Sequence, residues 1–265
     1  MNEPEYPRHG FRPPGPEPFR RPKPGLDARF EAAVVQGEHR AEGVRLLPER
    51  LCLAAREVLD VDAAAISVFL IGESCFPVAS TDEDATLAET LQFSLGEGPC
   101  LQPSALQVLI PDLHEAESAA VRAWPMYAAE MTRCTPFRTL IAFPLQVSGP
   151  PLGWLTLYRR SVTTPLGARD GSVVAALVTD QLLGAGRFTR HRLERGRRWL
   201  EAPAGRRRAQ VRRAQGMIMQ LNAINSADAL AVLRARAFGS GRLLDDLSED
   251  IVAGRLPVPV LEWQL

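Results

Sequence analysis

The apolar positions of this chain change their spacing along the sequence, and that change predicts its elements. Between residues 26 and 60 they recur every three or four residues, as in Leu47, Leu51 and Val58, a spacing typical of amphipathic helices. Pro48 fits the first turn of a helix, where its missing N–H costs no hydrogen bond. The segment is therefore predicted to hold two helices, one before Pro48 and one that starts around it.

Short apolar runs rich in β-branched residues then predict a sheet. The first run ends at Gly72 and is typical of a buried strand, and the turn sequence Ser148-Gly-Pro-Pro predicts a hairpin between the last two runs. The predicted strands are 63–71, 74–80, 107–111, 139–147 and 152–159. The predicted helices among them are 82–91, 124–132 and 170–183. Since hairpins predominate, we expect an α+β domain over 26–186, in which helices pack on an antiparallel sheet.

A smaller group of three helices is predicted over 209–256. Its apolar stripes are Val211, Ala214, Ile218 and Leu221, then Ala227, Leu230, Leu233 and Ala237, then Leu244, Leu247 and Ile251. Asn225 or Ser226 is expected to cap the second helix, and Gly239 to end it. About fifty residues with so little apolar content form a marginal core, so we expect docking or dimerisation to support it. Ala214 and Gly216 lack bulk, which predicts close helix packing that offsets the roughly 1 kcal/mol cost of the glycine.

Positive charge is concentrated between these two predicted domains. The whole chain has 31 basic and 31 acidic residues and no net formal charge. From Arg187 to Arg213, however, it has eleven arginines and only two glutamates. This asymmetry favours an anionic partner, although a solvated, flexible linker explains the same pattern. We assign 187–208 as a basic linker, 1–25 as a proline-rich disordered tail and 257–265 as a C-terminal tail.

The sequence gives no sign of catalysis, metal binding or membrane insertion. Its four cysteines form no Cys-x-x-Cys pair, and its four histidines follow neither a nucleophile nor a metal-site spacing. No run approaches the roughly 18 apolar residues of a membrane span, and the N-terminus lacks the apolar core of a signal peptide. We therefore expect a cytoplasmic protein without catalytic or metal-ligating residues. The sequence does not identify a cofactor.

Five motifs carry a resemblance to a known sensor family. They are Leu95-Gly-Glu-Gly-Pro-Cys-Leu, Ile110-Pro-Asp-Leu, Trp124-Pro-Met-Tyr, Leu140-Ile-Ala-Phe-Pro-Leu and Gly153-Trp-Leu-Thr-Leu-Tyr. Over 38–186 the chain resembles the GAF sensor domains of actinobacterial regulators. The resemblance implies a sheet of about six antiparallel strands with helices on either side, in a domain that binds a small molecule or dimerises.

The segment 93–101 is predicted as a glycine-punctuated loop that closes a ligand cavity beside the sheet. Candidate pocket residues are Phe93, Cys100, Phe143 and Trp154. Two other interpretations stay open, namely a tight connection without a ligand and aromatic side chains that only fill the core. Cys100 offers redox or covalent chemistry, although a buried cysteine usually behaves as a small hydrophobe. The signature of cyclic-nucleotide-binding GAF domains is missing from the sequence.

The closing helices resemble a second family. Their motifs are Ala214-Gln-Gly-Met-Ile-Met, Asp228-Ala-Leu, Leu233-Arg, Ala237-Phe, Leu244 and Ile251-Val. These resemble the ANTAR domain, an RNA-binding three-helix module. The order GAF then ANTAR is a known arrangement. It implies transcription antitermination, in which the module binds tandem RNA stem-loops. Ser248 and Leu243 depart from the usual alanine and the frequent proline, and Ser248 is expected to loosen the third helix.

The arginines agree with a nucleic-acid partner, because a planar guanidinium binds phosphate oxygens in pairs. The candidate RNA-binding residues are Arg206, Arg207, Arg208, Arg212, Arg213, Arg234 and Arg236. No aromatic residues are interleaved with them, so the pattern predicts contacts with the RNA backbone and no visible base reading.

Three hypotheses follow. The first is a cytoplasmic, homodimeric regulator in which a signal at the GAF domain frees or pairs the ANTAR domain for RNA. The second is a DNA-binding helix-turn-helix regulator, but its third helix is acidic and would repel phosphate. The acidic residues are Asp245, Asp246, Glu249 and Asp250. The third is an enzyme, or a small-molecule or redox sensor that acts through protein partners, and it requires a reactive Cys100.

Overall fold

The computed structural model describes residues 25–39, 46–69, 75–101, 106–162, 167–184 and 203–260. The predicted proline-rich tail before Gly25, the basic linker up to residue 202 and the last five residues of the C-terminal tail lie outside the described residues.

An antiparallel sheet forms the centre of the first domain. Among the described residues it has five strands in the order β2-β1-β5-β4-β3. They are β1 (Ala63–Phe69), β2 (Cys75–Ser80), β3 (Val108–Ile110), β4 (Thr139–Leu145) and β5 (Gly153–Arg159). Each strand falls within a run predicted from the sequence. The α+β class with an antiparallel sheet is therefore confirmed.

Helices cover both faces of this sheet. One face carries α1 (Leu26–His39), α2 (Leu47–Leu59) and α6 (Ala168–Leu183), and the other carries α3 (Glu83–Leu95), α4 (Ala119–Ala123) and α5 (Pro125–Cys134). Side chains of a strand alternate between its two faces. Along β1, Ala64 and Ile66 therefore join the core beneath α2, while Ala63 and Ala65 join the core beneath α3.

Helix α3 of the first domain extends further than the predicted helix 82–91. The side chain of Asp82 caps its start by accepting a hydrogen bond from the Ala85 N–H at 2.8 Å. Gly96 ends it with φ of 71°, a left-handed conformation that glycine adopts readily. Phe93, predicted to lie in a loop, is therefore in the last turn of α3.

The closing segment forms three helices with a core of their own. They are α7 (Pro203–Asn222), α8 (Ser226–Gly239) and α9 (Leu244–Val252). The core contains Val211, Ala214, Ile218, Ala229, Leu233, Ala237, Leu244, Leu247 and Ile251. Asn225 is the cap of α8, because its side chain accepts the Asp228 N–H at 2.9 Å. Leu221 and Ala227, predicted in the apolar stripes, are exposed instead.

No other described helix packs closely against Gly216, contrary to the prediction from the sequence. The residue is exposed, and a Cβ built there would have no atom of the described chain within 4 Å. That expectation was wrong, whereas Ala214 is fully buried between the helices.

The three-helix module, residues 203–260, docks on the first domain. Helix α7 lies against β2, and α8 and α9 lie against α3. Docking thus supplies part of the burial that so small a core lacks.

Candidate functional site

The interior of the first domain contains a buried carboxyl group. Glu89 on α3 is only 3% exposed. Ser67 donates to its Oε2 at 2.5 Å, and the Tyr158 hydroxyl donates to its Oε1 at 2.7 Å. Burial nevertheless raises the pKa of Glu89, since loss of solvation outweighs the hydrogen bonds that favour the carboxylate. No sequence pattern indicates this group, because a glutamate within a helix is usually solvated.

Cys100 lies in the same interior, close to Glu89. Its Sγ hydrogen-bonds with Thr156 Oγ1 at 3.2 Å, and its backbone N–H donates to Gln92 Oε1 at 2.9 Å. Burial, and then the neighbouring Glu89, raise the pKa of the Cys100 thiol well above its usual value. The nucleophilic form of cysteine is the thiolate. The geometry therefore favours the unreactive, space-filling interpretation of this residue.

The four candidate pocket residues do not meet in one cavity. Cys100 and Trp154 lie in the core beneath α3. Phe143 lies on the opposite face, where its ring occupies the space that a Cβ on Gly171 of α6 would need. Phe93 packs against the core of the three-helix module. Two of these four side chains thus share a compartment of the first domain.

Phe93 is the centre of the contact between the two domains. The guanidinium carbon of Arg208 lies 3.6 Å from the centroid of its ring, and that of Arg234 lies at 5.5 Å, both within cation–π range. Arg234 also donates from Nε to the Phe93 carbonyl at 3.1 Å. Next to it, the Leu244 N–H donates to Ser94 Oγ at 3.2 Å. We call these five residues the Phe93 contact.

Arg208 is buried at this contact, with 3% of its surface exposed. Its Nη1 lies 3.2 Å from an oxygen of Asp245, which is equally buried. Burial lowers the pKa of Arg208 to about 10, and burial also raises the pKa of Asp245. Arg208 stays protonated at neutral pH. Removal of either partner leaves the other charge buried and unpaired, which typically lowers the free energy of unfolding by about 3 to 5 kcal/mol.

The seven candidate RNA-binding arginines therefore separate into two groups. Arg208 and Arg234 belong to the Phe93 contact. The others are exposed: Arg206, Arg207, Arg212 and Arg213 on α7, and Arg236 on α8. Arg206 and Arg213 are two turns apart on one face of α7. Nothing in the sequence distinguishes the two groups, because the distinction depends on docking between distant segments.

The acidic third helix is also only partly available to solvent. Asp245 is buried, while Asp246 and Glu249 are exposed. Asp250 pairs with Arg242 at 2.5 Å and with Arg255. Glu249 also pairs with Arg255 at 3.5 Å, so Arg242 and Arg255 neutralise part of the negative charge of α9.

The described residues form neither a metal site nor a membrane-spanning helix. Within them, no three His, Cys, Asp or Glu side chains are grouped so that they could hold a metal ion. In the same part of the chain, no helix is long and apolar enough to cross a membrane. Asp112, in the loop that follows β3, pairs with Arg138 at 2.5 Å.

Comparisons with known proteins bear on the first domain. No family model matches the chain, and no curated protein matches it. Similar solved structures include a domain of a two-component sensor histidine kinase protein from Sinorhizobium meliloti 1021, with 19% identity, a TM-score of 0.42, and coverage of 60% of this chain and 99% of that one. A GAF domain of a sensor histidine kinase from Pseudomonas syringae pv. tomato has 12% identity, a TM-score of 0.36, and coverage of 64% and 89%.

A third similar structure is the chromophore-binding domain of a Stigmatella aurantiaca bacteriophytochrome. It has 13% identity, a TM-score of 0.37, and coverage of 60% of this chain and 61% of that one. These proteins are what the chain resembles. Because the TM-scores lie below 0.5, the interpretation of the first domain rests on its own motifs and its own sheet.

Proposed function

We propose that this chain is a signal-responsive RNA-binding regulator that acts by transcription antitermination. The first domain is a GAF-like sensor, and the three-helix module is an ANTAR-like unit that binds RNA stem-loops. The sensor part is supported by the five sequence motifs on an antiparallel sheet with helices on both faces.

The observation that carries the RNA part is the exposed set of five arginines on a separately cored helical module. Four of them lie on α7 and one on α8. Exposed guanidinium groups bind phosphate oxygens in pairs and release counterions on binding. RNA stems are recognised mainly through such backbone contacts and through shape.

A duplex-DNA reader is the competing function, and the charge of α9 argues against it. As the third helix it would enter the major groove in a helix-turn-helix module. Its exposed Asp246 and Glu249 would face the phosphates there. Arginines on α7 avoid this repulsion, which favours a partner that approaches α7 instead.

The test is binding of a tandem-hairpin RNA in a gel-shift assay, with duplex DNA of equal length as competitor. Replacing Arg212 and Arg213 together with alanine should weaken RNA binding several-fold at moderate salt. The slope of log K against log salt should become shallower by about 0.7 to 0.9 for each lost phosphate contact. The exposed Arg122 of the sensor domain, replaced by alanine, is the matched control and should bind RNA as the parent does. Equal affinity for RNA and duplex DNA would refute the proposal.

A further inference from the structure

A cleft opens at the junction of the two domains. Its volume is about 550 Å³, within the usual range for small-molecule sites, which often lie at domain interfaces. The sensor contributes Cys75 and Phe76 from β2 and Phe93 from α3. The module contributes Arg208, Val211, Arg212, Gln215, Gly216 and Met219 from α7, and Ser226, Ala227 and Leu230 from α8. We call this space the junction cleft.

Gly216 leaves part of the junction cleft open where another residue would fill it. Apart from its chain neighbours and the backbone of α7 itself, a Cβ at this position would meet no described atom within 4 Å. Glycine inside a helix costs about 1 kcal/mol relative to alanine, and no packing contact among the described residues offsets that cost. An unfilled glycine on the lining of a cleft is a place where a ligand can approach the helix backbone closely.

The chemistry of the lining is cationic and apolar. The lining has two charged residues, Arg208 and Arg212, one turn apart on α7, and no carboxylate. Arg208 is already paired with Asp245 at 3.2 Å, so an anion site here depends on Arg212. Phe76, Val211 and Met219 supply apolar surface around them. Gln215 is held in place, since its Nε2 donates to the Ser226 carbonyl at 2.6 Å and to Ser226 Oγ at 2.8 Å. Such a lining suits an anionic head on an apolar body.

We propose that the junction cleft binds a small organic anion, with a carboxylate, phosphate or sulfonate group on a flat apolar body. The walls come from both domains, so a ligand that touches both binds the docked arrangement better than the separated one. By linkage, such a ligand stabilises docking. The expectation that the ligand also weakens RNA binding rests on the function proposed above. The expectation that the ligand binds in the junction cleft does not.

The test uses two fluorescent probes that differ only in charge. They are 8-anilinonaphthalene-1-sulfonate and its neutral analogue N-phenyl-1-naphthylamine. The full chain should bind the sulfonate at one saturable site and the neutral probe more weakly. Gly216→Leu fills the open space and should weaken sulfonate binding about tenfold, which corresponds to about 1.4 kcal/mol. Gly239→Leu is the matched control, because Gly239 is also helical with open space around it but lies outside the junction cleft.

Arg212→Gln tests the anion site separately, and should weaken the sulfonate more than the neutral probe. Equal binding by the two leucine variants would overturn the site, and equal binding of the two probes would overturn its preference for anions. The RNA gel shift, repeated with the sulfonate present, should show weaker RNA binding by the parent chain than by Gly216→Leu. If the chain binds the sulfonate but no RNA, the proposed anion site stands and only the proposed RNA-binding function is refuted. If the chain binds RNA but not the sulfonate, the RNA-binding function stands and the anion site is refuted.

Discussion

At the scale of single residues, the buried polar groups of the first domain matter more than its candidate cysteine. Glu89 is held by Ser67 and Tyr158, and its Oε1 also accepts a hydrogen bond from Gln92 Nε2 at 3.4 Å. Gln92 in turn accepts the Cys100 N–H. The carboxyl therefore organises the interior, and its ionisation state affects the stability of the whole compartment.

Glu89 should make the stability of the chain depend on pH. Because its folded pKa is raised above the ordinary 4.5, it contributes stability below that value and loses it as the pH rises through the folded pKa. Glu89→Gln keeps the shape and removes the titration. We expect the free energy of unfolding of Glu89→Gln, relative to the parent, to increase over the window from pH 4.5 upwards. Urea unfolding across that window measures it.

The matched control for this experiment is Glu57→Gln, which alters an exposed glutamate on α2. A difference between Glu89→Gln and the parent that is constant with pH would show that Glu89 does not titrate differently in the folded state.

At the scale of elements, α9 contains a buried hydroxyl group without a hydrogen-bond partner among the described residues. Ser248 is fully buried, and its Oγ has no hydrogen-bond partner among the described residues. The resemblance to ANTAR domains places an alanine here. The structure thus gives a physical reason for the expectation that Ser248 loosens this helix, since an unpaired buried hydroxyl is destabilising.

Ser248→Ala should therefore stabilise the three-helix module, by about 1 to 2 kcal/mol. Part of that gain is the higher helix propensity of alanine. Ser172→Ala on the exposed face of α6 is the control, because it makes the same change where the hydroxyl has a partner, the Ala168 carbonyl at 2.8 Å. Thermal unfolding followed by circular dichroism compares the two. An equal gain in both variants would mean that the buried hydroxyl costs nothing.

The elements themselves were largely predictable, while their mutual placement was not. Local apolar spacing identified the strands and most helix bounds, because it reports which side of an element is buried. It could not tell that Phe143 and Trp154 face opposite ways. That depends on the hairpin register, in which Trp154 pairs with Pro144 and not with Phe143, and a one-residue difference in register exchanges the faces.

At the scale of the whole molecule, α3 connects the interior of the first domain to the three-helix module. Glu89 and Gln92 face the interior, and Phe93 and Ser94 face the module. A change around Glu89 is thus one helical turn away from the Phe93 contact. The marginal core of the module predicted docking or dimerisation. Local patterns could not reveal which residues meet, because Phe93 and Arg234 lie far apart in the chain.

The Phe93 contact should compete with RNA, because it uses two arginines that the sequence assigns to RNA. Phe93→Ala removes the ring beneath Arg208 and Arg234 and leaves their charges intact. A cation–π pair contributes about 0.5 to 2 kcal/mol, so its loss should shift the docked population towards the separated one by about tenfold. Apparent RNA affinity rises in proportion to the binding-competent fraction. We therefore expect a larger radius of gyration in X-ray scattering and several-fold tighter binding of tandem-hairpin RNA.

Leu221→Ala is the control for this variant, since Leu221 is an apolar side chain of α7 that is 54% exposed and lies outside the Phe93 contact. It should change neither quantity. A larger radius with unchanged RNA affinity would separate docking from RNA binding and remove the competition. An unchanged radius would mean that the ring does not hold the module, in which case the buried pair of Arg208 and Asp245 becomes the element to test. Asp245→Asn would then release the module, because it leaves the Arg208 charge buried and unpaired.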